Sequence, residues 1–552
     1  MIKENFVKMF ENGFKENWDF PLMTDYGSNK TLTSGGVARE IAKLHILYKE
    51  NNVRRGDKIA VIGKNSTNWA VTYLSAVTYG AIIVPILQDF NPNDVHHIVN
   101  HSESVLLFSS NRIWDQLEED KMDCVRAAFS LTDFRVVYQK EGEKFQKTIE
   151  NIDNLFAKKY PKGFSKDDVS YNEVPNKDVV VLNYTSGTTG FSKGVMITGN
   201  NLAGNLTFVE RKGILHKRNK LLSFLPLAHT YGCAFEFLYA SSAGCDITFL
   251  GKTPSPKILL KAFEEVRPNI VITVPLILEK IYKKMILPLL AKRSMKLALS
   301  IPIVDKQIYA IVCKKLRDAM GGNFEQVIIG GAPLNKDVED FLYKIKFPFT
   351  VGYGMTECAP LISYDHYTNF VPTSCGTILD EIMEVRIDSE DPYHVVGEIQ
   401  VKGENVMKGY YKNEEATKAA FTKDGWLRTG DLGTIDEIGR IFIRGRSKSM
   451  ILGANGQNIY PEEIESKLNN LPFVMESLVV ERNGKLIALV CPDYEAVDST
   501  GIESGSLNVI MAENKKTLNE MVAPYERIAE IQLYPTEFEK TPKKSIRRYL
   551  YQ

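Results

Sequence analysis

Cysteine is scarce in this 552-residue chain: seven are scattered through it, and no two form a Cys-x-x-Cys pair. An odd, unclustered set argues against a disulfide frame or a thiolate metal site, and for a reducing compartment. An excess of one charge is missing too. Lys+Arg and Asp+Glu both number 68, so no global positive field draws nucleic acid, and none is expected as a partner. No apolar run reaches the roughly 18 residues of a membrane span. The best stretch, LALSIPIVDKQIYAIV, is interrupted by Pro302, Asp305 and Lys306. The opening MIKENFVKMFENGF lacks the apolar core of a signal peptide, and no internal repeat or low-complexity tract is found. These absences predict a cytoplasmic protein of more than one domain, long enough to bury a core without staples.

What is present is alternation. KIAVIG, AIIVPIL, SVLLFSS, VVVLNY, NIVITV and QVIIGG read as short buried strands, with amphipathic stretches between them as helices. That pattern predicts an α/β architecture with largely parallel sheets. The polar segment 161–178 reads as an exposed loop entering VVVLNY. Near residue 380 the texture turns to short strands and turns, then to a small α+β segment containing the helix PEEIESKLNN. A boundary falls between Arg446 and Ser449, dividing a large unit, 1–446, from a small one, 447–552.

The most informative segment is YTSGTTGFSKGVMIT, residues 184–198. Gly187, Gly190 and Gly194 let the backbone come close to a ligand, while Thr185, Ser186, Thr188 and Thr189 present hydroxyls and Lys193 a point charge. Successive N–H groups, hydroxyls and one ammonium make a polyphosphate cradle. It is not a Walker loop, because Gly194 rather than Ser or Thr follows the lysine, and VMIT reads as a strand where that motif opens a helix. The plainer alternative is a Ser/Thr-rich hairpin turn. Three histidines, His96, His97 and His101, follow the cap-like NPND and read as partly exposed helix residues rather than a metal site. Cys358 has no His-Asp constellation near it in sequence and is not read as a nucleophile.

With this loop the sequence resembles the adenylate-forming superfamily. The likeness continues in order through NVRRGDKIAVIGKNSTNWAV, YGAIIVPIL, LPLAHTYG, IIGGAPL, VGYGMTECAP, GEIQVKGENVMKGYYKN, DGWLRTGDLG, GRIFIRGRSKSMILGANGQNIYPEEIE and the terminal KKSIRRYL. Ser192 departs from the family's usual proline, losing loop stiffness but no ligand group. The resemblance implies a large unit of parallel sheets with helices and a small β-barrel, followed by a mobile α+β unit. It implies that residues 185–190 and Lys193 hold the phosphates of ATP, with Thr185 and Glu357 on Mg²⁺ and Thr356 on the α-phosphate. Tyr353, with Gly354 and Met355 beside it, would stack on adenine, against a wall of Gly331, Ala332 and Pro333. Asp431 would take the ribose hydroxyls and Arg446 the ribose and phosphate; Lys448 would be the hinge. His229 and Tyr231 would sit between nucleotide and acyl group. Lys544 would be the catalytic tail lysine, with Lys543 as the alternative register.

The chemistry so implied joins a carboxylate to ATP as an acyl-adenylate, then passes the acyl group to coenzyme A. LPLAHTYG, FEFLYASSAGCDITFLG and RPNIVITVPLILEKIYKKM resemble the long-chain fatty acyl-CoA synthetase branch, which implies a long apolar acid. Alternatives within the family are a carrier-protein acceptor or an aryl or medium-chain acid; a different class is an inactive lipid-binding relative. The basic tail and the apolar stretch 285–312 leave room for peripheral membrane association, although a solvated face or buried core is the plainer reading. A dimer is left open.

Overall fold

The computed structural model describes residues 2–28, 30–185, 192–290, 292–302, 304–452, 458–500, 504–541 and 545–551. All six apolar runs form strands. Lys58–Ile62, Ile82–Ile86, Ser104–Ser109 and Val179–Thr185 lie in one eight-stranded sheet, while Ile270–Thr273 and Gln326–Ile329 lie in a three-stranded one. They pair in parallel, because helices such as Thr67–Tyr79 and Pro92–Ser102 supply the crossovers that parallel neighbours need. Both faces of such a sheet are covered, which explains why its strands read as near-continuous hydrophobic runs.

The large sheet turns antiparallel at one side, where Lys193–Thr198 returns along Val179–Thr185 and Gly409–Tyr410 adds to its edge. The VMIT segment is thus a strand, and the helix Gly199–Arg211 follows it, capped by Thr198. In a third sheet, Asp246–Phe249 lies between Pro21–Asp25 and Lys220–Ser223, parallel to both. The region after residue 380 forms a four-stranded antiparallel sheet running from Met383–Asp388 to Ile441–Arg446. Bridges at Ser363–Ile378 and Thr377–Arg440 tie it to the ribbon of Tyr353–Gly354 and Leu361–Ser363.

One continuous core runs from Phe6 to Ile441. Separate clusters fill the C-terminal segment. One includes Ile464, Leu468, Val490 and Leu518; another includes Leu478, Leu489, Phe538 and Tyr551. There Val474–Arg482 and Lys485–Pro492 form a hairpin through Asn483-Gly484, both at positive φ as a tight two-residue turn requires. Helices Pro461–Leu468 and Ser504–Met521 cover it.

Three expectations need correction. The loop 161–178 is not simply exposed: Val169, Tyr171 and Val174 are buried, and Glu11 of the first helix accepts the Tyr171 N–H at 2.9 Å. His96 is buried and accepts the Glu118 N–H at 3.0 Å, so it is a packed core histidine. The stretch around 285–312 is mixed: Ile286 and Val312 are buried, whereas Leu287, Leu297 and Ile311 stand exposed in its helices and Ile301 between two of them. No helix among the described residues is long and apolar enough to cross a membrane.

Candidate active site

Strand ends converge on one cleft. Ile270–Thr273, Gln326–Ile329 and Phe349–Val351 run parallel, so their carboxyl ends deliver Val274, Gly330–Pro333 and Gly352–Thr356 to one edge. Ligands of open α/β sheets bind at such edges, where loops diverge and backbone groups point outward. Gly331 adopts φ +85°, a turn that β-carbons resist, and Gly331, Ala332 and Pro333 stand exposed. Tyr353 is buried opposite, and Thr356 opens a 3₁₀ turn with Glu357 and Cys358.

Tyr353 donates its hydroxyl to Asp431 Oδ2 at 2.6 Å, and Arg446 Nε meets Asp431 Oδ1 at 2.9 Å. The second contact follows from register, because Asp431 and Arg446 face each other directly across Leu427–Ile435 and Ile441–Arg446. Burial raises the Asp431 carboxyl, and the Arg446 guanidinium pulls it back. The Asp431 side chain is 5% exposed and that of Arg446 67%, so the pair spans a buried base and an open rim. Lys448 lies just beyond, exposed in the turn after Arg446.

Thr185 and Lys193 are opposed across the hairpin that frames the phosphate loop. Lys193 Nζ lies 5.0 Å from the Tyr410 ring centroid, and the Tyr410 hydroxyl donates to Glu357 Oε1 at 2.9 Å. Tyr410 therefore joins the lysine and the acid, which are far apart in sequence. It was not singled out as a site residue, although GYYKN contains it; only its place on the strand beside Lys193–Thr198 reveals the role. Cys358 is buried, and burial together with Glu357 pushes its thiol well up, away from a thiolate. Residues 186–190 and the tail lysines Lys543 and Lys544 lie outside the described residues.

A mostly apolar cavity opens at this edge. Val209, Ile214, Leu215, Phe235, Ile272 and Ile328 make its inner wall apolar, whereas His229, Tyr353 and Thr356 line its polar part. Tyr231 lines it with its ring, and its hydroxyl is committed to the Ile328 carbonyl at 3.2 Å. His229 caps the short turn that follows, accepting the Tyr231 N–H on Nδ1 at 3.3 Å. Beyond it Cys233–Leu238 winds as a π-helix, and Glu236 is buried there with Oε2 bonded to the Ser223 hydroxyl and the Leu225 N–H. Burial raises the Glu236 carboxyl well above its ordinary value, while the Ser223 hydroxyl and the Leu225 N–H pull it back. Sequence periodicity carries no sign of that extra helical residue.

The structure therefore gathers Thr185, Lys193, His229, Tyr231, Gly331, Ala332, Pro333, Tyr353, Gly354, Met355, Thr356, Glu357, Asp431 and Arg446 around one cavity and its rim. Residues 10–411 match the model of the AMP-binding enzyme family. The chain belongs to that family. Among relatives of this AMP-binding enzyme, the long-chain-fatty-acid–CoA ligase FadD15 of Mycobacterium bovis is 28% identical, covering 94% of this chain and 90% of its own. The peroxisomal long chain acyl-CoA synthetase 7 of Arabidopsis thaliana is also 28% identical, over 87% of this chain and 71% of its own. In fold, the AMP-binding enzyme is similar to ATP-bound MatB from Rhodopseudomonas palustris, with TM-score 0.76, 23% identity, and coverage of 99% and 98% of the two chains.

Proposed function

We propose that this AMP-binding enzyme activates a long-chain fatty acid with ATP and Mg²⁺ and transfers the acyl group to coenzyme A. The observation that carries the reading is the lining of the cavity beside His229, Tyr353 and Thr356: Val209, Ile214, Leu215, Phe235, Ile272 and Ile328 suit an apolar acyl group next to a few polar side chains. The similarity to long-chain ligases and synthetases over most of the chain supports the same substrate class.

The reaction has two steps. A carboxylate oxygen bonds to the α-phosphorus of ATP and pyrophosphate leaves. A thiol sulfur then bonds to the acyl carbon, AMP leaves and the thiol proton is lost. The obstacle in the first step is anion meeting anion. Lys193 offsets this charge, Thr356 holds the α-phosphate, and Asp431 with Arg446 fixes the ribose. The donors at Thr185 and Glu357 are all oxygens, which suits a hard cation, and Mg²⁺ held there would neutralise phosphate charge. The tail lysine, Lys544 or Lys543, serves the first step alone. The C-terminal segment turns about Lys448 to withdraw it and admit the thiol.

The exposed Leu276, Leu287, Leu297, Ile301 and Ile311 support peripheral membrane association as well. Residues 276–318 carry ten Lys or Arg against Glu279, Asp305 and Asp318, in a chain of zero net charge. Lipid-soluble acids would reach the cavity from such a surface.

The test is pyrophosphate release with ATP, Mg²⁺ and acids from acetate to oleate, with and without coenzyme A. Release with long acids that accelerates with coenzyme A is expected. Release indifferent to coenzyme A would point to a carrier-protein acceptor, and no release with any acid would overturn the reading.

A further inference from the structure

The C-terminal end of helix Pro461–Leu468 is met by donors from the large unit. Asn335 Nδ2 donates to the Ser466 carbonyl at 3.3 Å and to Asn470 Oδ1 at 2.5 Å, and Lys283 Nζ reaches the Asn469 carbonyl at 3.5 Å. The last carbonyls of a helix have no partner within it, and the helix dipole makes this end negative. An amide and an ammonium therefore satisfy what the helix cannot.

Asn335 does more than this. Its Oδ1 accepts the Asp337 and Val338 N–H groups, capping helix Lys336–Lys344, and its own N–H is held by Glu279 Oε1 at 3.0 Å. Its side chain is thus fixed by contacts within the large unit itself. It also lies two residues beyond Pro333, the last residue of the expected adenine wall.

The clamped helix carries the tail. Arg548 bonds Glu465 and approaches Glu462 Oε1 at 3.6 Å. Glu462 in turn lies beside Gly445, its Oε2 3.5 Å from where a β-carbon on that glycine would stand. Gly445 is next to Arg446, the partner of Asp431. Arg548 is thereby linked, through Glu462, to the end of the strand that carries Arg446.

We infer that Asn335 is a positioning residue for the first half-reaction: it holds the C-terminal unit with its tail toward the nucleotide and must let go for the second. The inference rests on the two-step reading above. It also predicts a split between steps that a merely structural residue would not give.

Asn335→Asp is the test, because aspartate caps a helix as well as asparagine but offers acceptors where donors are needed. Formation of acyl-adenylate, followed as pyrophosphate release without coenzyme A, should fall about tenfold, in keeping with the loss of two hydrogen bonds. Thioester formation from supplied acyl-adenylate and coenzyme A should stay at the wild-type rate, and so should the melting temperature. Asn470→Ala leaves the cap untouched and should depress the same step by a smaller factor. Equal losses in both steps, loss of the second step alone, or no change in either variant would overturn the inference. An inactive wild-type protein would instead overturn the functional reading beneath it.

Discussion

At the scale of single residues, two side chains gain meaning only from their neighbours. The Tyr410 hydroxyl orients Glu357 while its ring stands beside Lys193. Tyr410→Phe keeps the ring and removes the hydrogen bond. The expected result is a rise of roughly tenfold in the KM for Mg·ATP with little change in melting temperature; an unchanged KM would separate Tyr410 from the site. Glu339 is a different case. Burial pushes its carboxyl from the ordinary 4.5 up to about 7, although the Thr373 N–H at 2.5 Å favours the charged form. A carboxyl raised on folding contributes stability that is present below 4.5 and lost as pH rises through about 7. Glu339→Gln abolishes that part of the pH dependence. Its melting temperature relative to wild type should therefore climb across this window, and parallel profiles would refute the assignment. Lys193 was legible as a charge in a Gly- and Thr-rich loop, whereas Glu357 and Asp431 stood out only through the resemblance to the adenylate-forming superfamily. Tyr410, Glu339 and Glu236 were not legible, because nothing in an aromatic or acidic letter says what will surround it.

At the scale of elements, the apolar runs specified the parallel strands well, since a strand covered on both faces needs little beyond β-branched length. The π-helix at Cys233–Leu238 left no mark in the pattern. The ribbon of Tyr353–Gly354 and Leu361–Ser363 shows why one small residue matters. A β-carbon on Gly354 would stand 2.4 Å from the Pro360 carbonyl oxygen, a backbone atom that cannot step aside. Gly354→Ala must spread the ribbon and tilt Tyr353 away from Asp431. A stability loss of about 1–3 kcal/mol is expected, with an additional increase in the KM for ATP. A variant that melts and turns over like wild type would show that the ribbon has slack.

At the scale of the whole molecule, exposed apolar side chains and an excess of seven positive charges, ten against three, coincide in residues 276–318. Association with vesicles containing anionic lipid should therefore be readily measured at low salt and weaken as salt rises. Lys314→Glu combined with Lys315→Glu should reduce it several-fold without altering pyrophosphate release from a soluble acid. Equal sedimentation of both proteins, or equal binding to neutral vesicles, would dismiss the surface.

The sequence by itself determined the strand-forming segments, because these depend on local properties: apolar runs bounded by turn formers. Tertiary structure alone decided which of them meet. Asp431 touches Arg446 through a sheet register, Glu357 reaches Lys193 through Tyr410, and Asn335 grips a helix more than a hundred residues away. Such contacts are set by the packing of distant elements, and the energy that selects them belongs to no single segment of the chain.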